Sequence, residues 1–322
     1  MKKLLILHTG GTIAMQEDPT TGVIQTKLHH PLLEATLSLP IEATIHTEEM
    51  FNLPSPHITP FHMLQLKERI QQAISEDFDG IVITHGTDTL EETAFFLDTT
   101  IETSVPIIIT GAMRSSNELG SDGLYNLLSA IRVAAHPEAV SMGVLVVMND
   151  EIHTARYVTK THTSNVATFL SPTLGPVGLI NKNHIFFLQK LLENPHLDVK
   201  TVDGLIPIVK AYAGMHGELL DALAQTNIDG LVIEAFGAGN LPPETTKPLQ
   251  QMIKQGIPVV LVSRCFNGVA EPVYHYPGGG KELSDIGVIF CPNISSQKAR
   301  LKLLIAQNNQ LSPSQLSEFM EN

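Results

Sequence analysis

The chain has few cysteines and no histidine pair of the kind that holds a metal ion. Only Cys265 and Cys291 occur among its 322 residues, and its 14 histidines include no H-x-x-x-H or H-E-x-x-H pattern. A disulfide framework or a zinc site needs several such residues at characteristic spacings. The sequence therefore favours a reducing compartment and predicts neither a metal site nor a metal cofactor.

Positive charge and long apolar runs are also scarce. The chain has 20 Lys and Arg against 33 Asp and Glu, a formal net charge of −13. Such a chain repels phosphate backbones and anionic lipids, so we expect neither nucleic acid nor a membrane as its main partner. No stretch approaches the roughly 18 to 20 apolar residues of a membrane span.

The amino terminus resembles a signal peptide only at its first residues. Lys2 and Lys3 supply the basic start, but the apolar run that follows has four residues and breaks at His8. This is shorter than the apolar core of a signal peptide. We therefore expect a cytoplasmic protein.

Length and pattern predict two α/β domains. The chain is longer than the size, about 250 to 300 residues, at which single cores stop growing. Strands and helices alternate along it, which is typical of a right-handed, mostly parallel sheet. The alternation lapses between residues 181 and 203. We predict a larger N-terminal domain with a mostly parallel doubly wound sheet over 1–185, a linker over 186–204, and a smaller C-terminal α/β domain over 205–322.

The predicted elements follow from apolar runs, helical spacing of apolar residues and breaking glycines or prolines. Strands are predicted over residues 4–7, 43–46, 80–84, 105–110, 143–148, 205–209, 230–234, 258–262 and 287–290. Helices are predicted over 61–76, 90–97, 124–135, 218–225, 244–255, 296–307 and 313–320.

The first strand and the turn after it carry the first candidate for chemistry. A short apolar run ends in Thr9-Gly10-Gly11-Thr12, where two glycines allow a sharp turn. Open α/β sheets bind ligands at the carboxyl ends of their strands. Thr12 is therefore a candidate nucleophile.

A second glycine turn and a later lysine complete the candidate site. Thr87 and Asp88 follow the strand 80–84, so both threonine hydroxyls are expected at one sheet edge. An alcohol becomes a nucleophile when a base takes its proton, and a lysine with a lowered pKa can do so. Lys160, in a polar segment after a later strand, makes a Thr–Asp–Lys relay feasible. Backbone N–H groups beside Gly11 and around Thr87 could stabilise an oxyanion.

Each of these residues also has a purely structural interpretation. Asp88 and Thr89 both stand three residues before a glutamate, as in helix capping boxes. A threonine after two glycines is commonly a turn residue, and a single lysine in a polar segment is usually a solvated charge. On spacing alone these interpretations stay open.

Two other classes of protein compete with an enzyme. A nucleotide-binding module would share the fold, but Gly10-Gly11 lacks the G-x-G-x-x-G pattern and no G-K-[ST] follows a strand. A binding or regulatory protein could keep the fold without the chemistry, and fold-level reasoning does not separate it from an enzyme.

Taken together, two motifs resemble the double signature of the bacterial-type L-asparaginase/glutaminase family. They are Thr9-Gly-Gly-Thr-Ile-Ala14 and Thr84-His-Gly-Thr-Asp-Thr-Leu-Glu-Glu-Thr93. Shorter matches run along nearly the whole chain, including Gly111-Ala-Met-Arg114, the segment 158–163 and Glu234-Ala-Phe-Gly-Ala-Gly-Asn240.

The resemblance implies hydrolysis of L-asparagine to L-aspartate and ammonia through an acyl-enzyme, without a cofactor, with L-glutamine as a second possible substrate. It makes Thr12 the nucleophile and Thr87, Asp88 and Lys160 the second catalytic group. It further implies substrate binding at Gly11, Ser55, Thr87, Asp88 and the backbone of Ala112.

The resemblance also implies an assembly and shows one departure. The family's usual oligomer is a homotetramer of tight dimers, in which the C-terminal domain of one copy completes the site of its neighbour, with Asn240 as a candidate contributor. The family generally has a tyrosine after the first motif that helps to activate the first threonine. Here Val23 stands in the matching stretch, and no tyrosine precedes Tyr125. A broader glutaminase-asparaginase and the amidase subunit of a tRNA-dependent amidotransferase are the alternatives within this class.

Overall fold

The computed structural model describes residues 1–18, 21, 24–26, 42–182, 184–190 and 195–322. These residues form two compact units, Met1–His196 and Leu197–Asn322. The division falls inside the predicted linker 186–204.

The first unit contains most of the strands. Its strands are β1 (Lys2–Gly10), β2 (Met15–Glu17), β3 (Ile24–Thr26), β4 (Ala43–Leu53), β5 (Gly80–Thr84), β6 (Ile107–Thr110), β7 (Val144–Met148), β8 (Glu151–Thr154), β9 (Thr159–Lys160), β10 (Phe169–Leu170), β11 (Gly178–Ile180) and β12 (Ile185–Phe187). Its α-helices are α1 (Pro60–Ser75), α2 (Leu90–Thr100) and α3 (Gly123–Ala134).

Eight of these strands form one sheet in the order β12-β11-β8-β7-β6-β5-β1-β4. The five neighbouring strands β7, β6, β5, β1 and β4 run parallel to one another. The strands β8, β11 and β12 extend the sheet beyond β7 by antiparallel pairing. In the parallel part, His8 lies opposite Thr84, which in turn lies opposite Thr110. Polar residues thus occupy neighbouring positions at the carboxyl ends of three adjacent strands.

Apolar residues cover both faces of this sheet, as expected for parallel strands between helices. The five residues of β5 and the five of β7 are all buried. One face packs against α3, through a cluster that includes Leu127, Ile131 and the strand residues Val82 and Ile108. The predicted mostly parallel doubly wound sheet is confirmed.

The polar segment after β7 contains short strands that the sequence analysis did not predict. Asn149 and Asp150 have positive φ values of 48° and 65°. They form a two-residue turn that places Met148 opposite Glu151 in an antiparallel hairpin. Asn and Asp are favoured at such positions, so the turn signal is present in the sequence. The strands that follow have two to four residues, too few for a periodic pattern.

The second unit is a smaller parallel α/β layer. Its strands, in the order β13-β14-β15-β16, are β13 (Ile208–Lys210), β14 (Leu231–Ala235), β15 (Val259–Ser263) and β16 (Ile289–Phe290). Its helices are α4 (Glu218–Ala224), α5 (Thr246–Lys254), α6 (Gly280–Asp285), α7 (Ser296–Asn308) and α8 (Pro313–Glu321).

Successive residues of its central strands enter two separate cores. Ile233 and Leu261 belong to one cluster, and Val232 and Val260 belong to the other. The predicted strand over 205–209 begins later, at Ile208, because Pro207 has no N–H to give to a ladder. Within the described ranges, no helix combines the length and apolar character needed to cross a bilayer.

Candidate active site

Two glycine turns touch each other at the carboxyl edge of the large sheet. Gly11 has φ 83° and ψ −179°, a conformation open essentially to glycine alone. A Cβ atom on Gly11 would lie 2.2 Å from the Cα atom of Gly86, and one on Gly86 would lie 2.6 Å from the Cβ atom of Ser55. The backbones of Gly11 and Gly86 are therefore in contact, and the Ser55 side chain packs against Gly86, which only glycine at the two turns permits.

Thr12 begins a single 3₁₀ turn, Thr12–Ala14, directly after this contact. Its own side chain is half-buried, and the next residue, Ile13, is 1% exposed. A Cβ atom on Gly123 would lie 3.1 Å from Ile13 Cγ1 and 3.3 Å from the Cβ atom of Ala112. The amino end of α3 therefore packs against both Ile13 and Ala112, which places the turns after β1 and β6 side by side.

Thr87, Asp88 and Lys160 form one hydrogen-bonded group. Lys160 Nζ donates to Thr87 Oγ1 at 2.9 Å and to Asp88 Oδ1 at 2.7 Å. Thr87 is 5% exposed, and the side chains of Lys160 and Asp88 are 18% and 58% exposed. The ammonium thus bridges a buried hydroxyl and a carboxylate that still has an open face.

The bonds of Lys160 decide against the purely structural interpretations of Asp88 and Lys160 that the sequence left open. The N-cap of α2 is Thr89, and no side chain accepts a hydrogen bond at that cap. The capping-box interpretation is therefore wrong for Asp88, whose carboxylate binds Lys160 instead. The solvated-charge interpretation is wrong for Lys160, since most of its side chain is buried.

Ser55 lies beside this group. It is 5% exposed and begins a short 3₁₀ turn. Its Oγ accepts a hydrogen bond from the backbone N–H of Asp88 at 3.2 Å, and its carbonyl accepts one from Thr89 Oγ1 at 2.8 Å. The loop that carries Ser55 is thereby fixed to the start of α2.

The loop after β6 is held by one carboxylate. Asp122 accepts the backbone N–H groups of Met113 and Arg114, both at 3.0 Å. Ala112, directly before them, is fully buried. These bonds keep the backbone at Ala112 in one conformation next to the turn of Thr12.

A buried polar layer beneath the turns was not predicted from the sequence. His85 Nδ1 donates to the carbonyl of Gly86 at 2.8 Å, and its Nε2 accepts from Thr93 Oγ1 at 2.9 Å. Burial lowers the pKa of His85 to about 4, so the ring is neutral and bridges the turn to α2. His8 and Thr84 are hydrogen-bonded at 2.7 Å in the same layer.

Lys160 reaches the site on a two-stranded ribbon formed by β9 and β10, in which it lies opposite Phe169. Thr161 N donates to the carbonyl of Thr168 at 2.7 Å beyond this pair. The backbone N–H of Lys160 donates to Glu91 Oε2 at 2.9 Å, a contact that sequence reasoning did not anticipate. Its one sequence signal is a pair of adjacent glutamates in the first turn of a helix.

A cavity of about 580 Å³ opens beside the ammonium. Its lining is polar and consists of Asp88, Glu91, Lys160, Thr161, His162 and Thr163. No group of three or more His, Cys, Asp or Glu residues that could hold a metal ion occurs in the part of the chain that the structure describes. The functional groups at hand are alcohols, an ammonium, carboxylates and backbone amides, which suit proton transfer and acyl transfer.

Val23 and Asn240 are the two remaining residues that the sequence analysis named. Val23, in the stretch where the family has a tyrosine, falls outside the described residues, although β2 and β3 pair on either side of it. Asn240 belongs to the second unit, where its Oδ1 accepts the backbone N–H of Gly280 at 3.1 Å.

Two sequence families match successive parts of the chain. The family described as asparaginase, N-terminal, matches residues 3–193, and the glutaminase/asparaginase C-terminal domain matches residues 206–320.

Individual relatives are similar over almost the full length. The chain is 41% identical to a probable L-asparaginase of Deinococcus radiodurans, over 96% of this chain and 94% of the relative. It is 35% identical to an L-asparaginase of Bacillus licheniformis, over 94% and 95%. The fold is similar to the crystal structure of a probable cytoplasmic L-asparaginase from Campylobacter jejuni, with a TM-score of 0.89, 32% identity and 99% of both chains covered.

Proposed function

This chain belongs to the asparaginase family in both of its domains, and from that premise we propose that it hydrolyses L-asparagine to L-aspartate and ammonia through a covalent ester on Thr12. The observation that carries the mechanism is the position of Lys160, whose ammonium binds both Thr87 Oγ1 and Asp88 Oδ1. Such a group can exchange protons with a hydroxyl while the carboxylate keeps it oriented.

The reaction proceeds in two balanced steps. The Thr12 oxygen attacks the carboxamide carbon, the C–N bond breaks, and the nitrogen leaves as ammonia with the proton that Thr12 gives up. Water then attacks the ester carbon, aspartate leaves, and the Thr12 hydroxyl is restored. Water gives one proton through the Thr87 hydroxyl to the amine form of Lys160, and that proton returns to the Thr12 oxygen as the ester breaks. Backbone N–H groups beside Gly11 and near Thr87 stabilise the oxyanion of each step.

The substrate is held by groups around the two turns. Asp88 has an open face for the substrate α-ammonium. Ser55 is hydrogen-bonded to the backbone N–H of Asp88, so its hydroxyl lies close enough to that carboxylate to bind the α-carboxylate of the same small molecule. Gly11 and the backbone of Ala112 face the side-chain amide. We propose L-glutamine as a slower substrate, since the family of the C-terminal domain includes glutaminases.

The test is ammonia release from L-Asn, D-Asn and L-Gln by the wild-type chain and by Thr12→Ala. We expect L-Asn to be hydrolysed fastest, and Thr12→Ala to lower kcat by about three powers of ten or more because the nucleophile is gone. Thr12→Ser, which keeps an alcohol, is the matched control and retains activity. Hydroxylamine should divert the ester to a hydroxamate. Near-normal ammonia release by Thr12→Ala, or no hydroxamate, would contradict the covalent route.

We further propose that the active form is a homotetramer of tight dimers, in which a second copy supplies residues such as Asn240. The support is family membership and the open cavity beside Lys160, which a neighbouring copy could close. Specific activity should then fall on dilution, in parallel with the molar mass measured by light scattering. A fully active monomer would overturn this assembly.

We also propose that the protein works in the cytoplasm. Cys265 is an exposed free thiol, and the similar Campylobacter jejuni structure is of a probable cytoplasmic protein. Fractionation of the source cells into cytoplasm and periplasm tests this location.

A further inference from the structure

The Glu91 carboxylate joins helix α2 to the two-stranded ribbon of β9 and β10 that carries Lys160, here called the lysine ribbon. Glu91 is 4% exposed and stands in the first turn of α2. Its Oε2 accepts the backbone N–H of Lys160 at 2.9 Å, across 69 residues of sequence. The contact involves the main chain of Lys160 and leaves its ammonium for the relay.

The location of this carboxylate suits a fixed hydrogen-bond acceptor. Buried carboxylates are costly unless they are hydrogen-bonded, and one that accepts a backbone N–H makes a strong, charge-assisted bond. The amino end of a helix also favours negative charge. Since Thr87 and Asp88 lie directly before the same helix, Glu91 fixes the lysine main chain relative to both groups that the ammonium must reach.

The rest of the ribbon is braced at other points. At its tip, Thr168 Oγ1 accepts the backbone N–H of His162 at 2.9 Å. At its base, the buried ring of His153 is hydrogen-bonded through Nδ1 to Ser171 Oγ at 3.0 Å. These bonds shape the ribbon and join it to β8, whereas the bond to Glu91 joins it to α2.

We propose that Glu91 is a positioning residue for the reaction: it holds the Lys160 backbone where the ammonium can bind Thr87 Oγ1 and Asp88 Oδ1 at once. The inference rests on the proposed function, in which those two bonds orient the proton acceptor. A displacement of about 1 Å at such a group can cost on the order of a hundredfold in rate.

The neighbouring Glu92 offers a matched control. It has the same charge and lies in the same helical turn, but it is only half-buried, and the bond to the Lys160 backbone comes from Glu91. The test variants are Glu91→Met, which fills similar volume without an acceptor, Glu91→Gln, which keeps an acceptor without charge, and Glu92→Met.

Glu91→Met should lower kcat about tenfold to a hundredfold and change KM less than about threefold, because the substrate-binding groups remain. Glu91→Gln should restore kcat to within about fivefold of wild type, and Glu92→Met should match wild type. Amide hydrogen exchange at Lys160 should speed up in Glu91→Met alone.

Three results would overturn the inference: wild-type kcat in Glu91→Met, a kcat for Glu91→Gln as low as that of Glu91→Met, or unchanged exchange at Lys160. Exchange also reports on the contact by itself. If the wild-type chain released no ammonia from L-asparagine, the proposed function would fail while faster exchange in Glu91→Met still established the contact. If Glu91→Met failed to fold, Glu91→Gln and exchange in the folded wild type would carry the test.

Discussion

The parallel strands of the two sheets are built alike, but their carboxyl ends carry different residues. In the first unit, the strand ends carry His8, Thr84 and Thr110, all fully buried and joined to hydroxyls, carbonyls or imidazoles. In the second unit, Glu234 near the end of β14 binds Lys210 at 2.9 Å and Ser296 Oγ at 2.6 Å, and the Lys210 side chain is 67% exposed. Both sheets have a carboxyl edge, but only the first unit has the layer of His8, Thr84 and Thr110 beneath it, which supports the candidate active site.

This difference has a cost in stability. A buried hydroxyl or imidazole destabilises the fold unless it is hydrogen-bonded, whereas an apolar residue at the same place does not. The first unit meets that cost with bonds such as Thr9 Oγ1 to the Thr84 carbonyl at 2.9 Å and Thr110 Oγ1 to the Val147 carbonyl at 2.7 Å. Changes at its edge should therefore have larger effects than similar changes in the second unit.

The largest expected effect is on kcat, when one hydroxyl is removed from each edge. Thr87→Ala removes the oxygen that binds Lys160 Nζ, and it should lower kcat for ammonia release about 10²- to 10⁴-fold. Ser296→Ala removes the hydroxyl bound to Glu234, and it should leave kcat unchanged and cost about 1 kcal/mol of stability.

Steady-state assays and urea unfolding of both variants check this pair. Thr87→Ser, which keeps the hydroxyl, controls for packing at the first edge. Equal losses of activity in Thr87→Ala and Ser296→Ala would show that the two edges do not differ in function.

The next effect concerns glycine. Gly11→Ala places a Cβ atom 2.2 Å from Gly86 Cα at φ 83°, so we expect a loss of more than about 3 kcal/mol and no activity. Gly256, in the second unit, has φ 86° and nothing within 4 Å of an added Cβ, so Gly256→Ala should cost only about 1 kcal/mol. Thermal and urea unfolding measure both, and similar losses would mean that the contact between the turns is not tight.

The last effect is on stability in acid and is absent at pH 7. Burial lowers the pKa of His85 and of His153 to about 4, below the value of about 6.5 in an unfolded chain. Both rings are neutral in the folded state, so their contribution is fully present above pH 6.5. It is lost as the pH falls from about 6.5 to about 4, by about 3 kcal/mol for each ring.

Urea unfolding at pH 7, 6 and 5 measures this slope. His153→Gln should make it shallower. His216 in the second unit is the opposite case, because its hydrogen bond with Glu244 raises its pKa and its contribution is present below pH 6.5. The loss of stability from pH 7 to pH 5 should therefore be as large in His216→Gln as in the wild type, or larger. An unchanged slope in His153→Gln would contradict the buried neutral ring.

The sequence predicts that the turns bearing Thr12 and Thr87 lie at one edge, because the carboxyl ends of parallel strands converge there. It offers Lys160 only as a lysine in a polar segment, since the antiparallel strands β9 and β10 are too short to show a pattern. It predicts the central strands for the same reason that they are buried, namely their continuous apolar runs. The bonds of His85 to Thr93 and of Glu91 to the Lys160 backbone depend on tertiary contacts between segments that no local pattern relates. The Asn149-Asp150 turn has a local signal, but the strands that follow are too short to show one.

The contact between Gly11 and Gly86 also limits how this enzyme could be redesigned. The turns that carry Thr12 and Thr87 contact each other through main-chain atoms, so no truncation of a side chain can enlarge the space between them. A library that aims at bulkier amides should leave both glycines untouched and vary residues that line the cavity beside Lys160 instead, such as Thr161, His162 and Thr163. The range of substrates can therefore be changed by substitutions around the cavity, but not by substitutions at the Gly11–Gly86 contact.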